Sequence, residues 1–172
     1  MFGMRSIRRH LMWGISVVSL VAAGCGGDEP PRVKPGTGYS AVIAWAVARE
    51  FPDRGPDDKT PLVFITTSDG STISATTQAK VTRDAGDDIA VNFVDKREDA
   101  IDGDDPVEAV KDDGLLVTLG PIADDARSSV EVSVMLYTNY VENTTWKLLL
   151  VARSGEDEVQ VTQEEEQKPA PP

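Results

Sequence analysis

The chain of 172 residues contains a single cysteine, Cys25, and a single histidine, His10. Both lie in the first 25 residues, so residues 26–172 contain neither. This excludes Ser-His-Asp and Cys-His catalysis from that part of the chain, together with thiol redox chemistry and the usual zinc or haem ligands. The chemistry that remains is that of carboxylate, hydroxyl, amine and guanidinium groups, and we expect no cofactor.

Basic residues are also scarce. The chain has 17 lysines and arginines against 29 aspartates and glutamates, and its formal net charge is −12. A chain this acidic is repelled by polyanions, so we expect no nucleic-acid partner and no binding to anionic lipid by charge. The uncharged apolar run at residues 11–24 has fourteen residues, which is short of the roughly 20 that a membrane-spanning helix needs.

The first 24 residues follow the order of a secretory signal peptide. A basic head precedes the apolar run, and the small residues Ala22, Ala23 and Gly24 close it. That order is typical of segments that direct export and are then removed. Removal would take away three arginines and no acid, so the remaining 148 residues would carry a net charge of −15, three units more negative than the full chain.

The tetrapeptide Ala22-Ala23-Gly24-Cys25 resembles the lipobox of bacterial prolipoproteins, although that family prefers Leu or Val at the position of Ala22. The resemblance covers residues 1–25 only. It implies cleavage before Cys25, acylation of the cysteine sulfur and anchoring in a membrane through the lipid. Gly26 follows the cysteine where Asp would favour the inner membrane, which implies an outer-membrane destination in a Gram-negative cell. The alternative is an ordinary signal peptide cut near Ala23, which leaves a free thiol.

Composition divides the chain into four segments. Residues 1–24 form the signal peptide, and residues 25–37 form the lipidated cysteine with a flexible tether rich in glycine and proline. Residues 38–162 form a single domain, which is followed by an acidic, proline-rich tail at 163–172 that we expect to be disordered.

Hydrophobic periodicity predicts an α+β domain. A helix is predicted at residues 39–51, and because residues 41–48 are apolar on nearly all sides it should be largely covered. Strict alternation over residues 130–137, a return strand from Trp146 and a third strand at 158–162 predict an antiparallel meander. The other predicted elements are strands at 61–66, 89–94 and 115–119 and a helix at 74–83. The predicted fold is a curved antiparallel sheet that ends in a three-stranded meander, with the apolar N-terminal helix packed on it.

This outline is similar to cystatin-like and NTF2-like folds. The similarity implies a ligand pocket between helix and sheet, which the aromatic residues Trp45, Phe93 and Trp146 would line. Because the similarity is at the level of fold, it implies no activity.

An acidic segment at residues 95–113 is the second candidate site. Asp102, Asp104 and Asp105 could supply oxygen ligands to calcium, but the spacing of an EF-hand loop is not met. Asp95, Glu98 and Asp99 follow a predicted strand and could act as a carboxylate acid–base pair. The simpler alternative is a solvated acidic loop.

The sequence therefore predicts a lipid-anchored protein of the cell envelope with a non-catalytic binding or structural role. Its partners would be the membrane, through Cys25, and an envelope protein or a small ligand. Two alternatives stay open: a carboxylate-dependent hydrolase or calcium-binding module that uses residues 95–113, and an NTF2-like ligand pocket.

Overall fold

The computed structural model describes residues 30–55, 58–102, 108–139, 143–153 and 158–168. The predicted signal peptide and Cys25 lie outside these ranges. The elements are α1 Pro35–Glu50, β1 Leu62–Thr67, α2 Ala75–Ala85, β2 Ala90–Phe93, β3 Leu115–Leu119, β4 Ser129–Tyr137, β5 Asn143–Ala152 and β6 Val159–Gln167. Within the described ranges, neither helix has the length and hydropathy to cross a bilayer.

The strands form one open sheet in the order β2-β1-β3-β4-β5-β6, which confirms the predicted α+β class. Three of the five pairings are antiparallel, and β4, β5 and β6 form the predicted meander. The two pairings made by β1, with β2 and with β3, are parallel. Parallel pairing requires a crossover connection, and α2 supplies one between β1 and β2.

The main core lies between the helices and one face of the sheet. Alternate strand residues point to this face because side chains alternate along a strand, and α1 and α2 cover it while packing on each other. Its fully buried members include Val42, Ile43, Ile65, Leu115, Leu148 and Leu150. The predicted packing of the apolar helix on the sheet is therefore confirmed.

A smaller core lies on the opposite face of the sheet. Phe64, Leu116 and Tyr137 project there and are covered by Ala100 and Val110 from the connection between β2 and β3. The Tyr137 hydroxyl donates a hydrogen bond of 2.6 Å to the carbonyl oxygen of Glu108. This connection therefore covers β1 and β3 on the side that the helices leave open.

The fold begins earlier than the sequence predicts. Residues up to 37 are predicted to be tether, but Val33 is fully buried and its N–H bonds to the carbonyl oxygen of Arg127. α1 then begins with Pro35, whose fixed φ and missing N–H suit the first helical turn. Of the tether glycines, Gly36 lies in this helix, and Gly38, the first residue of the predicted domain, is buried in it.

Gly38 lies where the backbone of α1 is closely surrounded by other parts of the fold. A Cβ atom at this position would lie 2.6 Å from Ile122 Cδ1 and 3.1 Å from Val33 Cγ1. One turn of backbone is therefore in direct contact with side chains from the sheet and its loops.

The next residue, Tyr39, attaches the same end of α1 through hydrogen bonds. Its buried hydroxyl donates to the carbonyl oxygen of Gly120 at 3.3 Å and accepts from the N–H of Ile122 at 3.2 Å. Burial raises the pKa of the Tyr39 phenol above its usual value, because the charged phenolate would lose its hydration.

The last strand extends into the segment that composition predicts to be disordered. β6 continues to Gln167, and residues 163–167 pair with β5 after a register shift at Leu149/Leu150. The acidic composition misled the prediction because the strand is held by backbone pairing with β5, which does not depend on apolar side chains.

We predict that Gly38→Ala lowers the free energy of unfolding by about 1–3 kcal/mol, the usual cost of overpacking. Helix propensity alone would favour alanine by about 1 kcal/mol, so a loss identifies the contact as the cause. Gly36→Ala in the same helix is the comparison, since its Cβ would lie no closer than 3.0 Å to any atom of Lys80 and 4.0 Å from the Cα of Thr77, against 2.6 Å at Gly38. Urea unfolding measures both variants, and a Gly38→Ala protein as stable as the control contradicts the prediction.

We also predict that a chain ending at Thr162 is less stable than one ending at Lys168 by about 2 kcal/mol or more. The shorter chain loses the pairing of residues 163–167 with β5, and each backbone hydrogen bond contributes about 0.5–1.5 kcal/mol. Equal midpoints and slopes in urea would show that these residues add nothing to the fold.

Candidate functional site

The three predicted pocket aromatics do not come together. The ring centroids of Trp45 and Trp146 are 5.7 Å apart in an edge-to-face arrangement. Phe93 lies on β2 at the far edge of the sheet, four strands from the β5 strand that carries Trp146. At about 4.8 Å per strand this separation is roughly 19 Å. The three side chains therefore do not line a single cavity, and the grouping made from sequence is wrong.

The two tryptophans belong to a packed polar and aromatic cluster instead. The guanidinium carbon of Arg49 lies 3.8 Å from the centroid of the Trp146 ring. The indole N–H of Trp45 donates a 2.6 Å hydrogen bond to Glu164, which also lies 3.5 Å from Arg49. Trp146 is almost completely buried. The contacts join α1 to the end of β6, so the cluster closes the core between them.

The members of the predicted acidic sites that the structure describes are exposed at the surface. Asp95, Glu98 and Asp99 are exposed at the start of the connection between β2 and β3. Of the predicted calcium ligands, Asp102 is described, while Asp104 and Asp105 lie outside the described residues. Among the described residues, no three cysteine, histidine or acidic side chains are grouped as metal ligands. The calcium loop stays a prediction.

The structure contains a cleft that the sequence does not predict. It has a volume of about 500 Å³ and lies where α1 ends and β1 begins, a size within the usual range for small-ligand sites. Apolar side chains form much of its surface, namely Phe51, Pro52, Pro61 and Leu62. The sequence reads the 53–60 stretch only as a charged turn, and no local signal marks a cleft.

One wall of the cleft is the loop from α1 to β1. Phe51 closes the helix by donating its backbone N–H to the carbonyl oxygen of Val47. Arg54 donates from Nη1 to the carbonyl oxygen of Asp88 at 2.9 Å, and the N–H of Gly55 donates to the Asp58 carboxylate at 2.6 Å. These bonds hold the described part of the loop beside the sheet.

The opposite wall is a single tight turn ahead of β3. Asp112 and Asp113 have φ values of 57° and 55°, in the left-handed region that residues with side chains rarely adopt. Gly114 follows, and a Cβ there would lie 2.9 Å from the carbonyl oxygen of Leu62. The turn is thus pressed against the start of β1, and both aspartate side chains are exposed.

Charge on the cleft is predominantly negative. Five carboxylates line it, from Glu50, Asp53, Asp58, Asp112 and Asp113, against the cations Arg54 and Lys59. Arg54 donates to the carbonyl oxygen of Asp88, outside the loop, and Asp58 accepts from Gly55 within it. The cleft can therefore hold a small molecule against an apolar surface while presenting carboxylates to its polar groups.

No known protein family matches the chain, and neither a curated protein nor a solved structure is detectably similar to it.

We predict that Asp112→Asn and Asp113→Asn change the free energy of unfolding by no more than about 0.5 kcal/mol, as is usual for surface substitutions. Asparagine tolerates the left-handed conformation about as well as aspartate. Asp113→Val should cost about 1–2 kcal/mol, since a branched side chain clashes there with the following carbonyl. Urea unfolding of the three variants decides this, and a valine variant as stable as the asparagine ones argues against the strained turn.

Proposed function

We propose that the protein is an exported, lipid-anchored binding protein of a bacterial cell envelope, without catalytic activity, whose cleft takes a small ligand. The observation that carries the proposal is the position of Cys25. The only cysteine of the chain directly follows a basic head, an apolar run and three small residues. A cysteine at that position is the acceptor that lipid modification requires.

The geometry of the described domain is compatible with such an anchor. The buried Val33 is eight positions after Cys25, a length that spans at most about 29 Å when fully extended. The domain would therefore stay close to the membrane that holds the lipid.

The cleft lies at the other end of α1 from this attachment. Val33 is next to the first turn of the helix, whereas Glu50 and Phe51 line the cleft. A helix of 16 residues is roughly 24 Å long. An anchor at Cys25 would thus leave the cleft accessible to ligands.

The proposal is tested by the intact mass of the protein purified from bacterial membranes. We expect a chain that begins at Cys25 and carries an added diacylglyceryl group, with or without a further acyl chain. Cys25→Ser should abolish both the added mass and the partition into detergent, because one hydroxyl replaces the only acceptor thiol.

Gly27→Ala, which changes a neighbouring residue and keeps the cysteine, serves as the control and should be processed normally. A wild-type protein that is cut near Ala23 and carries an unmodified thiol would refute the anchor.

A further inference from the structure

We infer that the cleft between the α1–β1 loop and the Asp112–Asp113 turn binds an organic ammonium that carries an apolar chain. The inference rests on the binding role proposed above and names the class of ligand. Two features of the cleft lead to it: an apolar floor, and the Asp112 and Asp113 carboxylates, which no described side chain pairs.

The apolar floor of the cleft favours a ligand with an apolar part. Phe51, Pro52, Pro61 and Leu62 face a space of about 500 Å³. Leu62 and Phe51 are partly buried, so each still presents apolar surface to the cleft. Covering that surface contributes roughly 25 cal/mol per Å², which favours a ligand with a hydrocarbon chain over a hydrated inorganic ion.

The Asp112–Asp113 turn determines the charge of the ligand. The Asp112 and Asp113 carboxylates make no hydrogen bond or ion pair with any described residue. The backbone conformation of both residues is fixed by the tight contact of Gly114 with β1. Two adjacent carboxylates attract a cation, and a primary ammonium has three donors to offer them.

The other wall carries both signs. Glu50, Asp53 and Lys59 all line it, and Arg54 donates to the carbonyl oxygen of Asp88. Because charges of opposite sign alternate here, this wall does not select the charge of the ligand, and the Asp112–Asp113 turn does. The carboxylates of the cleft are also spread over two segments rather than grouped around one point, an arrangement that suits an extended ligand.

The experiment uses three probes of one size: hexylamine, hexanol and hexanoate. Each is titrated by calorimetry into the full-length protein in lipid nanodiscs, and the heat from empty nanodiscs is subtracted. We expect hexylamine to bind at least about tenfold more tightly than hexanol, since a hydrogen bond to a charged partner is worth roughly that factor. Hexanoate should bind more weakly than either.

Two double variants locate the site. Asp112→Asn with Asp113→Asn removes both charges while keeping residues that accept the left-handed backbone, and should weaken hexylamine about tenfold without affecting hexanol. Asp124→Asn with Asp125→Asn removes the same charge from an exposed turn outside the cleft and should leave hexylamine binding unchanged.

If both double variants lose the same affinity for hexylamine, the inference is overturned, because the amine is then attracted by the negative charge of the whole chain. Tighter binding of hexanol or hexanoate would overturn the ammonium class and leave the binding role standing. Absence of binding by all three probes would also overturn it. The intact mass of the same preparation reports on the Cys25 anchor independently of every one of these results.

Discussion

The close approach of α1 to the sheet at Gly38 is the constraint on which the other tertiary contacts depend. With no side chain at this position, the helix backbone lies against Ile122 and Val33. The two hydrogen bonds of the Tyr39 hydroxyl lock the same end of the helix. The direction of α1 is then set, and about two and three turns further on it places Trp45 and Arg49 beside Trp146 and Glu164.

The cleft follows from the same helix and from the parallel pairing of β1 with β3. α1 ends at residue 50, and the chain must return to the end of the sheet at which β1 begins. Because β3 runs parallel to β1, it begins at the same end of the sheet. Asp112 and Asp113, which precede β3, therefore lie opposite the α1–β1 loop. Two segments about fifty residues apart in sequence thus become facing walls. The left-handed conformation of the two aspartates is maintained by the packing of Gly114 against β1.

Charge has different consequences in different parts of the molecule. The carboxylate of Glu164 contacts Trp45 and Arg49 and contributes to the closure of the core. In the cleft, Asp112 and Asp113 have no such partner among the described residues. The same residue type is structural in one place and available for binding in the other, and the tertiary neighbours make the difference.

Local features of the chain were readable in advance because near neighbours in sequence produce them. Alternation predicted the meander, the apolar stretch predicted α1, and the helix predicted at 74–83 is α2. The residues of β3 were also predicted correctly, at 115–119. The strand–helix–strand order of β1, α2 and β2 is in addition a recognised signal for parallel pairing.

Strand order, the length of β6 and the cleft were decided only in three dimensions. Periodicity indicates which face of a strand is buried but not which strand lies beside it, so Phe93 was grouped with tryptophans that lie at the other side of the sheet. Residues 163–167 look disordered by composition, yet β5 pairs with them and α1 contacts them. The cleft forms where the end of α1 and the distant Asp112–Asp113 turn lie at the same end of the sheet. This is a long-range contact, and no local sequence pattern encodes it.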